Sequence, residues 1–206
     1  MREGRHAHFS YDLGGPPQFR ESRPAWPRRS DLYFALLPEP AAATDAERVA
    51  KTLSQQYRLS AKPYARDRLH ISLYGIGAFA ELSEDIIFAA MQAAAAVRAA
   101  PFTVTLDRVV SADEPSHPLM LCASTENPAL RALHFQLRLA MHGLGLHPTT
   151  MIPSLAPHLT LLCDRRTVPD TSLDAPVTWT VRDFVLVHSL YGTGKPDQLG
   201  RWPLLG

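Results

Sequence analysis

Leu32–Leu37 is an apolar run closed by Pro38, and it predicts a strand. Ala43–Leu59 changes period. Val49, Leu53 and Tyr57 fall on one helical face, Thr44 is placed to cap it, and Glu47 follows three residues on as in a capping box. Leu69–Tyr74 reads as a strand again, and Ser83–Ala99 as an alanine-rich helix starting at Ser83. Alternation in Phe102–Val110 puts Phe102, Val104 and Leu106 inward, with Arg108 and Val110 continuing that parity. Leu119–Ala123 is a further strand. Asn127–Leu144 is a helix capped by Asn127, with Pro128 in its first turn and Gly143 and Gly145 at its end. Strands follow at Leu159–Cys163, Thr178–Thr180, Phe184–Leu190 and Trp202–Leu204. Residues 1–30 hold Pro16, Pro17, Pro24 and Pro27 among Gly and Arg and show no period, so they read as a disordered Pro/Arg-rich extension before a folded domain over 31–206.

Within that domain one unit is used twice. A strand begins near Leu32, a helix follows, and His70 comes 38 residues after that start. A strand begins near Leu119, a helix follows, and His158 comes 39 residues after that start. Each unit ends on a matching motif, Leu69-His70-Ile71-Ser72-Leu73 and Pro157-His158-Leu159-Thr160-Leu161, and each is followed later by another strand. Residues i and i+2 share a strand face, so His70 points with Ser72 and His158 with Thr160. The expected fold is α+β: two lobes related by a pseudo-twofold, each an antiparallel sheet with helices on its outer face. The two motifs would then meet across a central cleft. Such a cleft could grip a phosphodiester and move protons on both sides of it.

The bare pattern His-x-[Ser/Thr] is loose. Nine His and 26 Ser plus Thr in 206 residues give about one match by chance, and four are present. His8-Phe9-Ser10 lies in the extension, and the proline in His147-Pro148-Thr149 cannot donate to a ladder. Strand context selects the matches at 70 and 158.

Charge narrows the partners. The net charge is +1, but six Arg stand among residues 1–30 against Glu3, Asp12 and Glu21, so the rest is faintly acidic. That excludes a grip on long duplex DNA and suits a small substrate or a single nucleic-acid end. No apolar run approaches the roughly 20 residues of a membrane span, and the first residues show no leader pattern, so a cytoplasmic, membrane-free protein is expected. Cys122 and Cys163 read as buried free thiols, with Cys163 on the strand face opposite His158. There is no nucleophile elbow, phosphate-binding P-loop, dinucleotide fingerprint or Cys-x-x-Cys pair. Neither motif brings carboxylates to its face, so no metal and no cofactor are expected. Tyr33, Tyr191 and Trp202 read as core, and His188 as structural.

From Asp31 onward the chain resembles the 2H phosphoesterase superfamily, in its branch of 2′-5′ RNA ligases and RNA 2′,3′-cyclic phosphodiesterases. The resemblance rests on Leu32–Pro38, Arg68–Leu73, Pro157–Leu162, Phe184–Ser189 and Gly200–Leu204. It implies a metal-independent enzyme, acting as a monomer on an RNA 3′ end or a small cyclic nucleotide. Such an enzyme hydrolyses 2′,3′-cyclic phosphates to 2′-phosphates and can run in reverse as a 2′-5′ RNA ligase. The alternative is a non-catalytic nucleotide- or RNA-binding module on the same fold. The chain departs from the family pattern in three places. Ser72 stands where Thr is commoner, Gly75 where an aromatic often stacks on the base, and Cys163 where Arg often follows the second motif. Tyr74, by strand parity, is the expected substitute for the stacking residue, and Arg165 and Arg166 for the arginine.

Histidine suits this chemistry because its unperturbed pKa, about 6.5, lies near working pH. One neutral imidazole takes a proton from water while a charged one protonates the leaving oxygen. Ser72 and Thr160 would donate to the non-bridging oxygens as their charge grows. By analogy His70 is the general acid and His158 the base.

Overall fold

The computed structural model describes residues 30–113, 116–147, 157–190 and 196–205; residues 1–29 of the expected extension and Tyr191 lie outside them, while Ser30, expected in that extension, opens the first strand and is buried. The described elements run β1 (Ser30–Leu36), α1 (Pro40–Gln56), β2 (Ile71–Phe79), α2 (Glu84–Ala96), β3 (Phe102–Ser111), β4 (Pro118–Cys122), α3 (Pro128–Gly143), β5 (His158–Cys163), β6 (Thr171–Val181), β7 (Asp183–Leu190) and β8 (Asp197–Pro203). They build two four-stranded sheets, ordered β2-β1-β7-β8 and β5-β4-β3-β6. Every pairing is antiparallel.

The sequence repeat is visible in this topology. β1–α1–β2 and β4–α3–β5 are the same unit, and in each sheet the motif strand is an edge with the unit's opening strand beside it. After each motif a later strand changes lobe. β3 leaves β2 and pairs with β4, and β7 comes after β5 and pairs with β1. The helices tie the lobes further, for α1 lies against β5 and β6, and α3 lies against β2 and α2. Small residues make the approach of α1 close, since its buried face is Ala42, Ala43, Ala46, Ala50 and Leu53. One continuous core results, from Phe34, Phe184 and Trp202 of the first sheet to Val104, Leu121 and Trp179 of the second. Trp202 packs against the core, on Phe34 and Phe184, as expected.

Several expectations are corrected. The first helix begins at Pro40, whose missing N–H costs nothing in a first turn, and Thr44 is inside it with its hydroxyl donating to Pro40 O. Glu47 pairs with Lys51 and Arg66 rather than closing a capping box. The second helix stops at Ala96, and Val97 is already extended. Asn127 caps the third as expected, its side chain accepting from Leu130 N at 3.1 Å. In β3 an irregularity between Leu106 and Arg108 flips the parity, so Val109 and not Val110 is buried. β6 starts seven residues before Thr178 and β8 five before Trp202, because both strands open on exposed polar residues that carry no alternation.

Candidate active site

A strand places i and i+2 on one face only while its register is regular. In β2 the pairing to β1 runs Ala35 with Ser72 and then Phe34 with Tyr74, so Leu73 is an extra residue. In β5 the pairing to β4 runs Met120 with Thr160 and then Leu119 with Leu162, so Leu161 is an extra residue. Each bulge directly follows the motif hydroxyl. Each sends two consecutive side chains into the core: Leu73 and Tyr74 in one lobe, Leu161 and Leu162 in the other. His70, Ser72, His158 and Thr160 remain half-buried on the opposite face. The floor beneath Ser72 is Ala35, Val185 and Val187 with Tyr33 and Leu37 at its side, an apolar cluster separate from the main core. Met120 and Cys122 are the corresponding neighbours of Thr160 and His158.

The surroundings of His70 define its chemistry. Its Nδ1 lies 2.9 Å from Arg68 O, and since a carbonyl only accepts, Nδ1 carries the proton and Nε2 is the ring nitrogen that can accept one. Its ring packs on Tyr33 with centroids 5.1 Å apart. Burial pushes the His70 pKa down; the Arg68 carbonyl bond opposes this, and the charges of His158 and Arg68 add to the lowering. His158 is therefore close enough for its charge to be felt at His70. Burial likewise raises Tyr33 to about 12, with Asp31 adding and Arg68 opposing, so its hydroxyl stays protonated. Beside His70 opens a cavity of about 360 Å³, walled by Tyr33, Leu37, Pro38, Pro40, Val187 and Gln198, with Arg66 and Asp67 among its lining. That volume falls in the range of small-ligand sites. Tyr33, read from the sequence as core, faces this cavity; its place between buried Leu32 and Phe34 in the first strand was the available signal.

Two expected placements change. Tyr74 is not on the face of Ser72. The bulge at Leu73 turns it inward, where it is 2% exposed, donates its hydroxyl to Leu146 O and leans on the His134 ring. Cys163, expected opposite His158, returns to the cleft face for the same reason, and its Sγ meets Tyr64 Oη at 3.4 Å. Cys122 and Cys163 are both free thiols, as expected, but half-buried rather than buried. Arg165 and Arg166 fall on the exposed turn after β5, where Asp164 accepts from Arg166 N. Sequence reasoning passed over Arg68. It precedes His70 by two residues, holds that ring through its carbonyl, and lies with its guanidinium carbon 4.7 Å from the centre of the Tyr64 ring.

The cleft is fastened where Asp164, at the end of β5, meets the loop between α1 and β2. Its carboxylate accepts from Ser60 N at 2.6 Å, Ser60 Oγ at 3.0 Å and Ala61 N at 2.7 Å. Burial alone would raise the Asp164 pKa, but the bonds from Ala61, Arg166 and Ser60 outweigh it and hold the carboxyl below its ordinary value. Among the described residues no three His, Cys, Asp or Glu side chains gather as a metal-ligand set, and no helix is long and apolar enough to cross a membrane.

A family model described as the 2′-5′ RNA ligase superfamily matches residues 37–192. No curated protein sequence matches the chain. Among solved structures, E. coli LigT complexed with 3′-AMP is 23% identical with a TM-score of 0.71, over 86% of this chain and 99% of that one. TT0787 of Thermus thermophilus is 21% identical with a TM-score of 0.70, over 85% and 98%. Kluyveromyces marxianus Usb1 is 13% identical with a TM-score of 0.50, over 85% and 98%.

Proposed function

The chain belongs to the 2′-5′ RNA ligase superfamily, and we propose that it is a cyclic phosphodiesterase, opening the 2′,3′-cyclic phosphate of an RNA 3′ end or a nucleotide to a 2′-phosphate. The reverse reaction, 2′-5′ ligation, uses the same site. The observation that carries this reading is the pair of matched bulges, which leave one imidazole and one hydroxyl from each lobe on the cleft face.

Water enters opposite the leaving 3′ oxygen and one histidine takes its proton. The other histidine protonates the departing alkoxide, and each such transfer is typically worth about 10²–10⁴ in rate. Ser72 and Thr160 donate to the non-bridging oxygens. The cavity beside His70 receives the nucleoside. Since the leaving oxygen stays on the ribose, His70 is the acid and His158 the base. Burial lowers the His70 pKa and so disfavours its charged form in the free protein. The anionic phosphodiester restores its charge on binding, so substrate enters with uptake of a proton. Arg165 and Arg166, exposed after β5, would meet a longer RNA chain.

The test is incubation of the purified protein with 2′,3′-cyclic nucleotides and separation of the products against 2′- and 3′-monophosphate standards. Accumulation of the 2′-phosphate is the expected result. Binding without turnover would make the protein a nucleotide-binding module on this fold, and a dominant 3′-phosphate would reverse the orientation of substrate in the cleft.

A further inference from the structure

We propose that Arg68 is the cation that grips the scissile phosphate, and that Tyr64 holds it there across the two lobes. The inference rests on the phosphodiester reading of the cleft and names a binding residue for it. Tyr64 belongs to the loop between α1 and β2, yet its amide donates to Leu161 O at 2.8 Å, the bulge residue just after Thr160. Its hydroxyl meets Cys163 Sγ at 3.4 Å, so the residue straps the cleft end of β5 at two points. The Arg68 guanidinium lies over the Tyr64 ring, while the Arg68 carbonyl holds His70 Nδ1. One residue is thus tied by its backbone to the first motif and by its side chain to the second.

The remaining geometry fits a phosphate ligand. A ring face holds a guanidinium without using its in-plane N–H donors, which stay directed outward in the fork that matches two phosphate oxygens. The ring that Arg68 lies on touches Cys163 after the second motif while the Arg68 carbonyl holds His70, so the guanidinium stands between the two motifs, and its charge lowers the pKa of His70. Other arginines are engaged by carboxylates on exposed faces: Arg66 by Glu47, Arg108 by Asp170 and Arg201 by Asp183. A cation at this position also explains how the site tolerates Cys163 on the cleft face after the second motif: positive charge arrives from the opposite lobe, over the aromatic ring that Cys163 touches.

The experiment compares Arg68→Met, Arg68→Lys and Tyr64→Leu with the wild type. Inorganic phosphate and a 2′-nucleotide are titrated by calorimetry, cyclic-nucleotide kinetics are measured, and the His70 ring is followed by NMR against pH. Arg68→Met should weaken phosphate binding roughly 10- to 100-fold, as loss of a charge-assisted pair does, and raise KM more than it lowers kcat. Arg68→Lys should recover part of the affinity, because it keeps the charge and loses the fork. His70 should titrate at higher pH in Arg68→Met, since a neighbouring positive charge is gone, whereas a residue that only packs on Tyr64 would leave it unmoved. Tyr64→Leu should fall between wild type and Arg68→Met. Phosphate affinity, KM and His70 titration all unchanged in a folded Arg68→Met would overturn the assignment. Loss of phosphate binding in Arg68→Met, with no turnover by the wild type, would uphold it while removing the cyclic phosphodiesterase reading.

Discussion

A histidine on a strand is ordinarily a satisfied polar group, and His70 and His158 stand out by what shares their face. Each has a hydroxyl two residues on, and the charge of His158 is felt at His70, above the apolar cluster of the first lobe. His70→Ala and His158→Ala should each lower kcat at least about 10², the low end for a positioned proton transfer. Ser72→Ala and Thr160→Val, which remove one neutral donor each, should cost less. A nitrophenyl phosphodiester separates the roles, because a good leaving group needs no acid. His70→Ala should lose far less on that substrate than His158→Ala, and the opposite ranking would exchange the two histidines. The pH dependence has a definite sign. An acid must be charged, and His70 is held below its ordinary value in the free protein. The basic limb of kcat/KM, which reports the free enzyme, should therefore lie below about pH 6.5, and that of kcat at higher pH. Turnover should persist after exhaustive chelation, since imidazoles and hydroxyls supply both proton transfers and charge stabilisation. Loss on chelation with rescue by one divalent ion would refute that mechanism.

The sequence could be read along each strand up to a bulge and no further. His70 and Ser72, His158 and Thr160 were legible because they precede Leu73 and Leu161, where parity still holds. Tyr74 and Cys163 come after those extra residues, so period-2 reasoning sent each to the wrong face. A bulge leaves no local signature when the inserted residue is leucine, equally at home in a regular strand. Val109 and Val110 exchanged places for the same reason. Arg68 was illegible in another way. Its role depends on Tyr64 crossing to β5, a contact between residues 97 apart. Two substitutions test these joints. Asp164 is 6% exposed and holds Ser60 and Ala61, so Asp164→Ala should lower stability by roughly 2–4 kcal/mol in a urea titration at neutral pH. Its folded pKa is depressed, so that contribution is complete above the unfolded value of about 3.9 and is lost as pH falls through the folded one. The gap between variant and wild type should close over that interval. In β8 a Cβ on Gly200 would collide with the Trp202 ring, itself packed on Phe34 and Phe184. Gly200→Ala should cost about 1–3 kcal/mol, the usual penalty for overpacking, and an unchanged midpoint would mean that the ring has another place to go.

The repeat suggests two lobes that could stand as two domains, but the path of the chain forbids their separation. The first sheet is made from both ends of the described chain, β1 and β2 with β7 and β8, and the second sheet lies wholly between them in sequence. β1 cannot acquire its β7 neighbour until the second lobe has been traversed, and the buried face of α1 closes on β5 and β6 as well. Each lobe therefore lacks a complete core without the other, and the cleft that carries both motifs forms only when the whole is assembled. The molecule should unfold in one cooperative step. Two tryptophans make this measurable, Trp179 in β6 of the second sheet and Trp202 in β8 of the first, both within the shared core cluster or packed against it. In a background with Trp26 replaced, Trp202→Phe leaves Trp179 to report on one sheet and Trp179→Phe leaves Trp202 to report on the other. Within each variant the fluorescence and far-ultraviolet dichroism transitions in urea should coincide. A fluorescence transition that separates from the dichroism in either variant would show a lobe unfolding on its own, and the interlocked path would then be topology without energetic coupling.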